Sequence, residues 1–204
     1  DDQFARILDC LDRTGQRDNT VIIFTSDHGE TLGDHGLIYK GCRFYEGLVR
    51  VPLIFNWPGH IETGLQSEAL VELVDMSATI LDLGGVPIPD AMQGRSLLPL
   101  LRGEAPPDHH RDFVRSEYFD TLDAPDTFGP PSYATMYRDR RYKLVMYHGH
   151  NLGELYDLET DPWEFDNLWD DPGYQAVKHE LILASFNATM MQSIDVGTRR
   201  IAPM

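Results

Sequence analysis

The sequence is poor in basic residues and cysteine, and it has no long apolar run. It has 17 Lys and Arg against 33 Asp and Glu, which gives a formal net charge of −16. Because so acidic a chain repels phosphate groups, neither nucleic acid nor an anionic membrane is expected as a partner. The apolar runs span only a few residues, such as 21–24, so no membrane-spanning helix is predicted.

Other absences narrow the function classes. Cys10 and Cys42 are too few for a disulfide framework and fit a reducing compartment, which slightly favours the cytoplasm. There is no phosphate-binding loop, no Gly-x-Gly-x-x-Gly pattern and no Gly-x-Ser-x-Gly elbow. The chain opens directly in a helical pattern, without an initiator Met or a leader. We therefore expect it to be part of something longer.

What is present is typical of a folded protein. The 204 residues are 42% apolar and 25% charged, enough for one domain or two small ones. Residues 2–11 have helical spacing, and the β-branched run at 20–25 predicts a strand buried on both faces, as in a parallel sheet. Residues 50–55 predict a second strand with Pro52 near its start, and Asp75 is placed to cap a helix that Gly84 ends.

The second half of the sequence differs from the first in its pattern of residue types. Residues 101–110 are typical of a linker, and we predict a division into domains 1–103 and 104–204. Aromatic and β-branched stretches predict antiparallel strands at 113–119, 133–137 and 142–147, and a helix follows at about 175–186. The segment 154–172 holds eight acidic residues and no basic one, which indicates a solvated face.

The strongest local chemistry lies at 26–29, Ser-Asp-His-Gly, after the first predicted strand. Asp27 and His28 can both turn toward a metal there, but Asp27 as a turn cap and His28 as a core residue fit equally well. Lys40 follows His28 by twelve positions. It is either a cation that contacts an anionic substrate or an ordinary surface lysine. His35 is a candidate substrate contact. The other histidine pairs, 109–110 and 148/150, lack a third ligand and favour turn positions.

Taken together, these motifs resemble the sulfatase family of the alkaline phosphatase superfamily, and only its C-terminal part. The likeness covers nearly the whole chain in one order. It is carried by 18–30, 32–36 with Lys40, 50–54, 74–75 with 79–82, 94–101, 142–144, 154–158, 161–162, Glu164 and 167–168.

The resemblance implies a fold and a site. The fold is α/β: the C-terminal part of an alkaline-phosphatase-like sandwich, with a mixed, largely parallel sheet and flanking helices, followed by a small antiparallel-sheet-and-helix subdomain. Asp27 and His28 match the family's late metal ligands, and Lys40 matches its sulfate-contacting lysine. The implied cofactor is one divalent cation, with calcium first and manganese or magnesium as alternatives.

The sequence also departs from the family. The family's nucleophile is a formylglycine made in a Cys/Ser-x-Pro/Ala-x-Arg motif, and the residues after Cys10 and Cys42 do not fit it. The early aspartate pair is missing as well, because Asp1 and Asp2 lie on a predicted helix. The formylglycine is therefore expected in an absent N-terminal part, and the chain alone is expected to be inactive.

Three functional hypotheses remain open. The first is a fragment of a sulfatase that hydrolyses small-molecule sulfate esters. The second is a phosphonate monoester or phosphodiester hydrolase of the same superfamily. The third is a non-catalytic interaction module. In each case the strand at 20–25 should expose apolar surface, so we expect the fragment to self-associate.

Overall fold

The computed structural model describes residues 1–119 and 132–194. The helices are α1 (Asp2–Arg13), α2 (Glu46–Val49), α3 (Val74–Leu83), α4 (Leu98–Leu101) and α5 (Gln175–Ile194). The strands are β1 (Ile22–Thr25), β2 (Leu53–Asn56), β3 (Val114–Phe119), β4 (Tyr133–Arg138), β5 (Tyr142–Tyr147) and β6 (Leu152–Asp157). Across the described residues, no helix is long and apolar enough to cross a membrane.

The first sheet is a two-stranded pair. β1 runs antiparallel to β2, with Phe24 opposite Ile54, and Pro52 lies just before the strand as predicted. The parallel neighbours predicted for β1 are not found among the described residues, and Phe24 remains 43% exposed rather than buried. An unbroken apolar run does not determine which strand pairs with β1 or in which direction. The face that carries Phe24 is only partly covered, by Phe4 of α1.

The second sheet is an antiparallel meander in the order β3-β4-β5-β6. On one face, Tyr137, Leu144 and Leu155 form a core cluster with Leu181 and Ala188 of α5. On the other face, Ala134, Met136 and Val145 pack against Phe44 from the first half of the chain. The predicted antiparallel sheet with a helix is therefore confirmed, and both of its faces are covered.

The fourth strand was missed because it lies in the acidic segment. β6 is followed by a loop in which Glu164 is buried, and Asp157 at the end of the strand is fully buried. The prediction that 154–172 is a solvated face is therefore wrong for these two carboxylates. Each is paired with a cation from β5 or the turn before it, Arg141 for Asp157 and Lys143 for Glu164.

A buried clamp holds the chain after α3 against that helix. Asp75 lies in the first turn of α3, where its carboxylate accepts from the amides of Glu72 and Arg95. Thr79 accepts from the amide of Leu97, and a Cβ on Gly94 would collide with the carbonyl of Val74. The residues in this part of the chain that resemble the family motif therefore fix the backbone path.

The predicted linker is held to both halves of the molecule. Arg111, just beyond it, is buried between Glu72 and Asp75, and the side chain of Asp108 accepts from the amide of Glu68. The carbonyl of Asp108 accepts from Arg140 on the turn between β4 and β5. The division at 103/104 stays a prediction, and the contacts of Arg111 and of the Asp108 side chain cross it.

Candidate functional site

β1 delivers Asp27 and His28 to a tight loop at its carboxyl end. The hydroxyl of Ser26 donates to the carbonyl of His28 at 2.7 Å, and the amide of Gly29 donates to the carbonyl of Leu48 at 2.8 Å. A Cβ at position 29 would collide with the carbonyl oxygen of Gly47. Glycine is therefore required where the loop crosses the short helix α2.

The ring of His28 is oriented by this loop. Nδ1 lies 2.7 Å from the carbonyl oxygen of Gly29, and because that oxygen can only accept, Nδ1 carries the proton. In a neutral ring Nε2 then has a free lone pair. The Nε2 atom lies 2.5 Å from Nζ of Lys40 and 3.6 Å from Oδ2 of Asp27. The three side chains singled out from the sequence therefore meet at one point.

The group is open to solvent. The side chain of Asp27 is 86% exposed and that of His28 is 41% exposed, so His28 is not a core residue. Both residues, with Lys40, line a cavity of about 1170 Å³ that extends to β3 and β4. The amide of His28, followed by the interactions with the His28 ring and with Lys40, holds the pKa of Asp27 below its ordinary value. Asp27 is thus ionised under ordinary conditions.

The donor set suits part of a cation site. A carboxylate oxygen and an imidazole nitrogen, the latter fixed by a backbone carbonyl on its other side, are common divalent-cation ligands. The ammonium of Lys40 already lies against the His28 lone pair, so the position attracts a positive charge. In the described ranges, however, no group of three or more His, Cys, Asp or Glu side chains could hold a metal. The two residues fit such a cation but do not complete its coordination.

His35 lies elsewhere. It has a left-handed backbone at φ 54°, and its ring stacks on Tyr45 with centroids 3.8 Å apart. It lines a second cavity of about 380 Å³, together with Trp163 and Phe165. The structure therefore does not bring His35 into the group formed by Asp27, His28 and Lys40.

A buried ion cluster anchors the segment that follows Lys40. Lys143 of β5 is fully buried, and its Nζ donates to the carbonyl of Phe44 at 2.9 Å. The same atom lies 2.7 Å from Glu46 and 2.6 Å from Glu164, whose carboxylate also accepts from the amide of Glu46. The sheet in the second half of the chain thus holds the backbone only a few residues after Lys40.

The two carboxylates of this cluster differ in protonation behaviour. Burial raises the pKa of Glu164, and Lys143 offsets this only in part. For Glu46, burial is outweighed by Lys143 and Arg138, so its pKa lies below the ordinary value. Sequence reasoning placed Lys143 and Glu164 in family-like motifs but gave no sign that they meet, because 21 positions separate them along the chain.

Comparison with known proteins identifies the family. Residues 33–190 match the family model described as N-sulphoglucosamine sulphohydrolase, C-terminal. An N-acetylglucosamine-6-O-sulfatase from Bacteroides thetaiotaomicron is 34% identical over 184 residues, which are 89% of this chain and 32% of that protein. The chain thus spans about a third of that relative's length.

Solved structures agree with this assignment. A phosphonate monoester hydrolase from Silicibacter pomeroyi superposes with a TM-score of 0.81 at 34% identity, over 94% of this chain and 38% of that one. A structure in complex with its substrate D-glucosamine-2-N,6-O-disulfate superposes with a TM-score of 0.81 at 28% identity, over 96% of this chain and 39% of the other. The predicted α/β class is confirmed by these neighbours. The chain belongs to the N-sulphoglucosamine sulphohydrolase C-terminal family, among the sulfatases of the alkaline phosphatase superfamily.

Proposed function

We propose that this chain is the C-terminal part of a longer, metal-dependent sulfuric ester hydrolase. Asp27 and His28 supply two ligands to one divalent cation, and Lys40 contacts the sulfate group of the substrate. The observation that carries the proposal is the meeting of Oδ2 of Asp27, Nε2 of His28 and Nζ of Lys40 at the wall of the large cavity. The sulfatase relatives support the same chemistry.

Each side chain has a separate task. The bound cation would polarise a sulfate oxygen and offset negative charge. Asp27 and His28 hold it through a carboxylate oxygen and an imidazole lone pair. Lys40 places an ammonium beside the transferred group, where charge grows on the sulfate oxygens and on the leaving oxygen. The nucleophile, a formylglycine, is proposed to come from the part of the protein outside this chain.

The types of donor atom favour some cations over others. Oxygen ligands favour calcium or magnesium, whereas an imidazole in the set makes manganese more competitive. Calcium is our first choice. By calorimetry we expect the chain alone to bind calcium weakly or not at all, because two ligands do not outcompete water for such an ion. Submicromolar affinity would contradict the view that this is half a site.

A second candidate has an observation of its own. The similarity to a phosphonate monoester hydrolase, at 34% identity, is as high as the similarity to the sulfatase relative. Phosphonate monoesters also present a tetrahedral anion to a cation and a lysine. In the third candidate, the isolated chain is a non-catalytic module, because it lacks the nucleophile motif.

Kinetics on the longer protein test the proposal. Initial rates are measured on 4-nitrophenyl sulfate and on a 4-nitrophenyl phosphonate monoester, for the wild type and for Lys40→Ala. We expect turnover of the sulfate, and a loss of about 10²–10³-fold in kcat/KM for the variant, since a charge stabiliser of the transition state is removed. Lys178→Ala, on α5 and outside the cavity, serves as the control. Cleavage of the phosphonate alone would instead support the second candidate.

A further inference from the structure

The large cavity contains more positive charge than the proposed reaction uses. Besides Lys40, four arginines line it, namely Arg43, Arg50, Arg115 and Arg138. Three of them are paired with carboxylates: Arg50 with Glu68 at 3.6 Å, Arg115 with Glu117 at 2.6 Å and Arg138 with Glu46 at 3.3 Å. Within the described part of the chain, no carboxylate lies within 4 Å of Lys40 or Arg43. These two cations are available to an anionic ligand.

Arg43 is held in a defined orientation. Its Nη1 donates to the carbonyl of Cys42 at 2.8 Å and lies 3.5 Å from the hydroxyl oxygen of Tyr147. Tyr147 donates its own proton to Glu154 at 2.7 Å, so its oxygen is free to accept from Arg43. The guanidinium carbon lies 5.6 Å from the centre of the Tyr147 ring. Tyr147 of β5 therefore orients the guanidinium group of Arg43, although Arg43 itself is exposed.

Two donor nitrogens of Arg43 remain for a ligand. Both polar contacts use Nη1, and over the described residues no partner is found for Nη2 or Nε. These two nitrogens form the flat, two-pronged edge that binds a carboxylate or a sulfate through two parallel hydrogen bonds. Arg43 follows Lys40 by three residues, so their Cα atoms lie no more than about 11 Å apart, and both side chains line the same cavity. The two cations can therefore contact two anionic groups of one substrate, carried on one sugar ring or on two linked rings.

We propose that Arg43 binds a second anionic group of the substrate, so that the preferred substrate is a sulfate ester carrying a further sulfate or carboxylate. This inference rests on the proposed function, in which Lys40 contacts the reacting sulfate. Arg43 then sets specificity, because it touches a part of the substrate that does not react. Its contribution is to binding, so its loss raises KM more than it lowers kcat.

The test compares substrates with one and two anionic groups, using the longer protein. Glucosamine 6-O-sulfate is the one-anion substrate. Glucosamine 2-N,6-O-disulfate and a monosulfated disaccharide with a uronate carboxylate are the two-anion substrates. For Arg43→Gln we expect kcat/KM on the preferred two-anion substrate to fall about 10- to 100-fold, mostly through KM. On the one-anion substrate, glucosamine 6-O-sulfate, kcat/KM should change less than about threefold. Arg43→Lys keeps the charge but not the two-pronged edge, and should lie between.

Controls separate this inference from the proposed function. Arg50→Gln removes the same charge from the same cavity, but at a residue already paired with Glu68, and should change neither rate by more than about threefold. If Arg43→Gln alters one- and two-anion substrates equally, or alters neither, the inference is overturned while the hydrolysis stands. If the wild type cleaves no sulfate ester at all, the proposed function itself fails. The two-anion substrate with the higher kcat/KM identifies the anionic group, sulfate or carboxylate, that Arg43 binds.

Discussion

The behaviour of individual carboxylates depends on whether a cation is held beside them. Asp157 is fully buried, and Arg141 donates to both of its oxygens, at 2.7, 3.0 and 3.2 Å. These hydrogen bonds, chiefly, hold the pKa of Asp157 below its ordinary value of 3.8. Asp170, in the same acidic segment, is exposed to solvent. Residues of one type in one segment thus contribute very differently to stability.

This difference predicts how stability depends on pH. A carboxyl group whose pKa is lowered by folding stabilises the protein above its ordinary pKa, and that stability is lost as pH falls through the lowered value. Near pH 7 we expect Asp157→Asn to reduce the free energy of unfolding by about 1.5–3 kcal/mol. The gap between wild type and variant should narrow below about pH 4. Urea denaturation across this range measures it.

The control for this prediction is Asp170→Asn, which changes the same charge at an exposed position. Its free energy of unfolding should follow that of the wild type at every pH. A gap for Asp157→Asn that stays constant down to pH 2 would show that Arg141 does not favour the ionised form.

Sequence reasoning worked at the residue scale where the partners lie close along the chain. Asp27, His28 and Lys40 span fourteen positions and do converge. It failed for Lys143, whose partner Glu46 lies 97 positions away, because nothing local in either stretch indicates a buried ion pair. His35 shares a loop with the other candidates, yet its ring turns toward Tyr45 instead.

At the scale of elements, the loop after β1 and the helix α2 fit together through their backbones. The amide of Gly29 donates to the carbonyl of Leu48, and Gly47 lies directly over position 29. Elements with a strong local pattern, such as β3, β4, β5 and α3, were predicted from sequence. β6 was not, because Glu154 and Asp157 placed most of its sequence, Leu-Gly-Glu-Leu-Tyr-Asp, in a segment interpreted as a charged surface. The contact at Gly29 is tertiary and has no sequence pattern of its own.

We expect Gly29→Ala to disturb this contact. The added methyl group has no space against the carbonyl of Gly47, so the loop carrying Asp27 and His28 must shift, at a cost of about 1–3 kcal/mol. Thermal unfolding measures the loss of stability. Gly84→Ala is the matched control, since its Cβ would make only ordinary contacts, the nearest at 3.5 Å, and its φ of −83° suits alanine. Equal melting temperatures for the two variants would contradict the prediction.

At the scale of the whole molecule, the β1–β2 pair has an exposed apolar face. Phe24 is 43% exposed and Ile54, directly opposite it in register, is 57% exposed. Phe4 of α1 packs on Phe24 with ring centroids 5.4 Å apart, which extends the apolar surface. A two-stranded sheet with such a face is only marginally stable in water unless something packs on it.

We therefore expect the isolated chain to self-associate in a concentration-dependent way, as light scattering would show. Ile54→Lys should shift the average mass toward that of the monomer, because it places a charge in the middle of the apolar face. Ile80→Lys introduces the same charge at an exposed position on α3 and should leave association unchanged. A wild type that stays monomeric at high concentration would contradict this prediction.

The buried Lys143 has a consequence for local opening of the fold. The amide of Glu46 donates to Glu164, and the carbonyl of Phe44 accepts from Lys143, so this backbone is sealed by side chains from the other half of the chain. Amide hydrogen exchange at Glu46 should therefore be as slow as exchange at the amides of β5. Faster exchange at Glu46 would mean that the cluster opens independently of β5. In Lys143→Met, protection at Glu46 should fall far more than at Leu144. In the wild type, one opening reaction would then govern both the position of Lys40 relative to a substrate and the exchange of amides in β5.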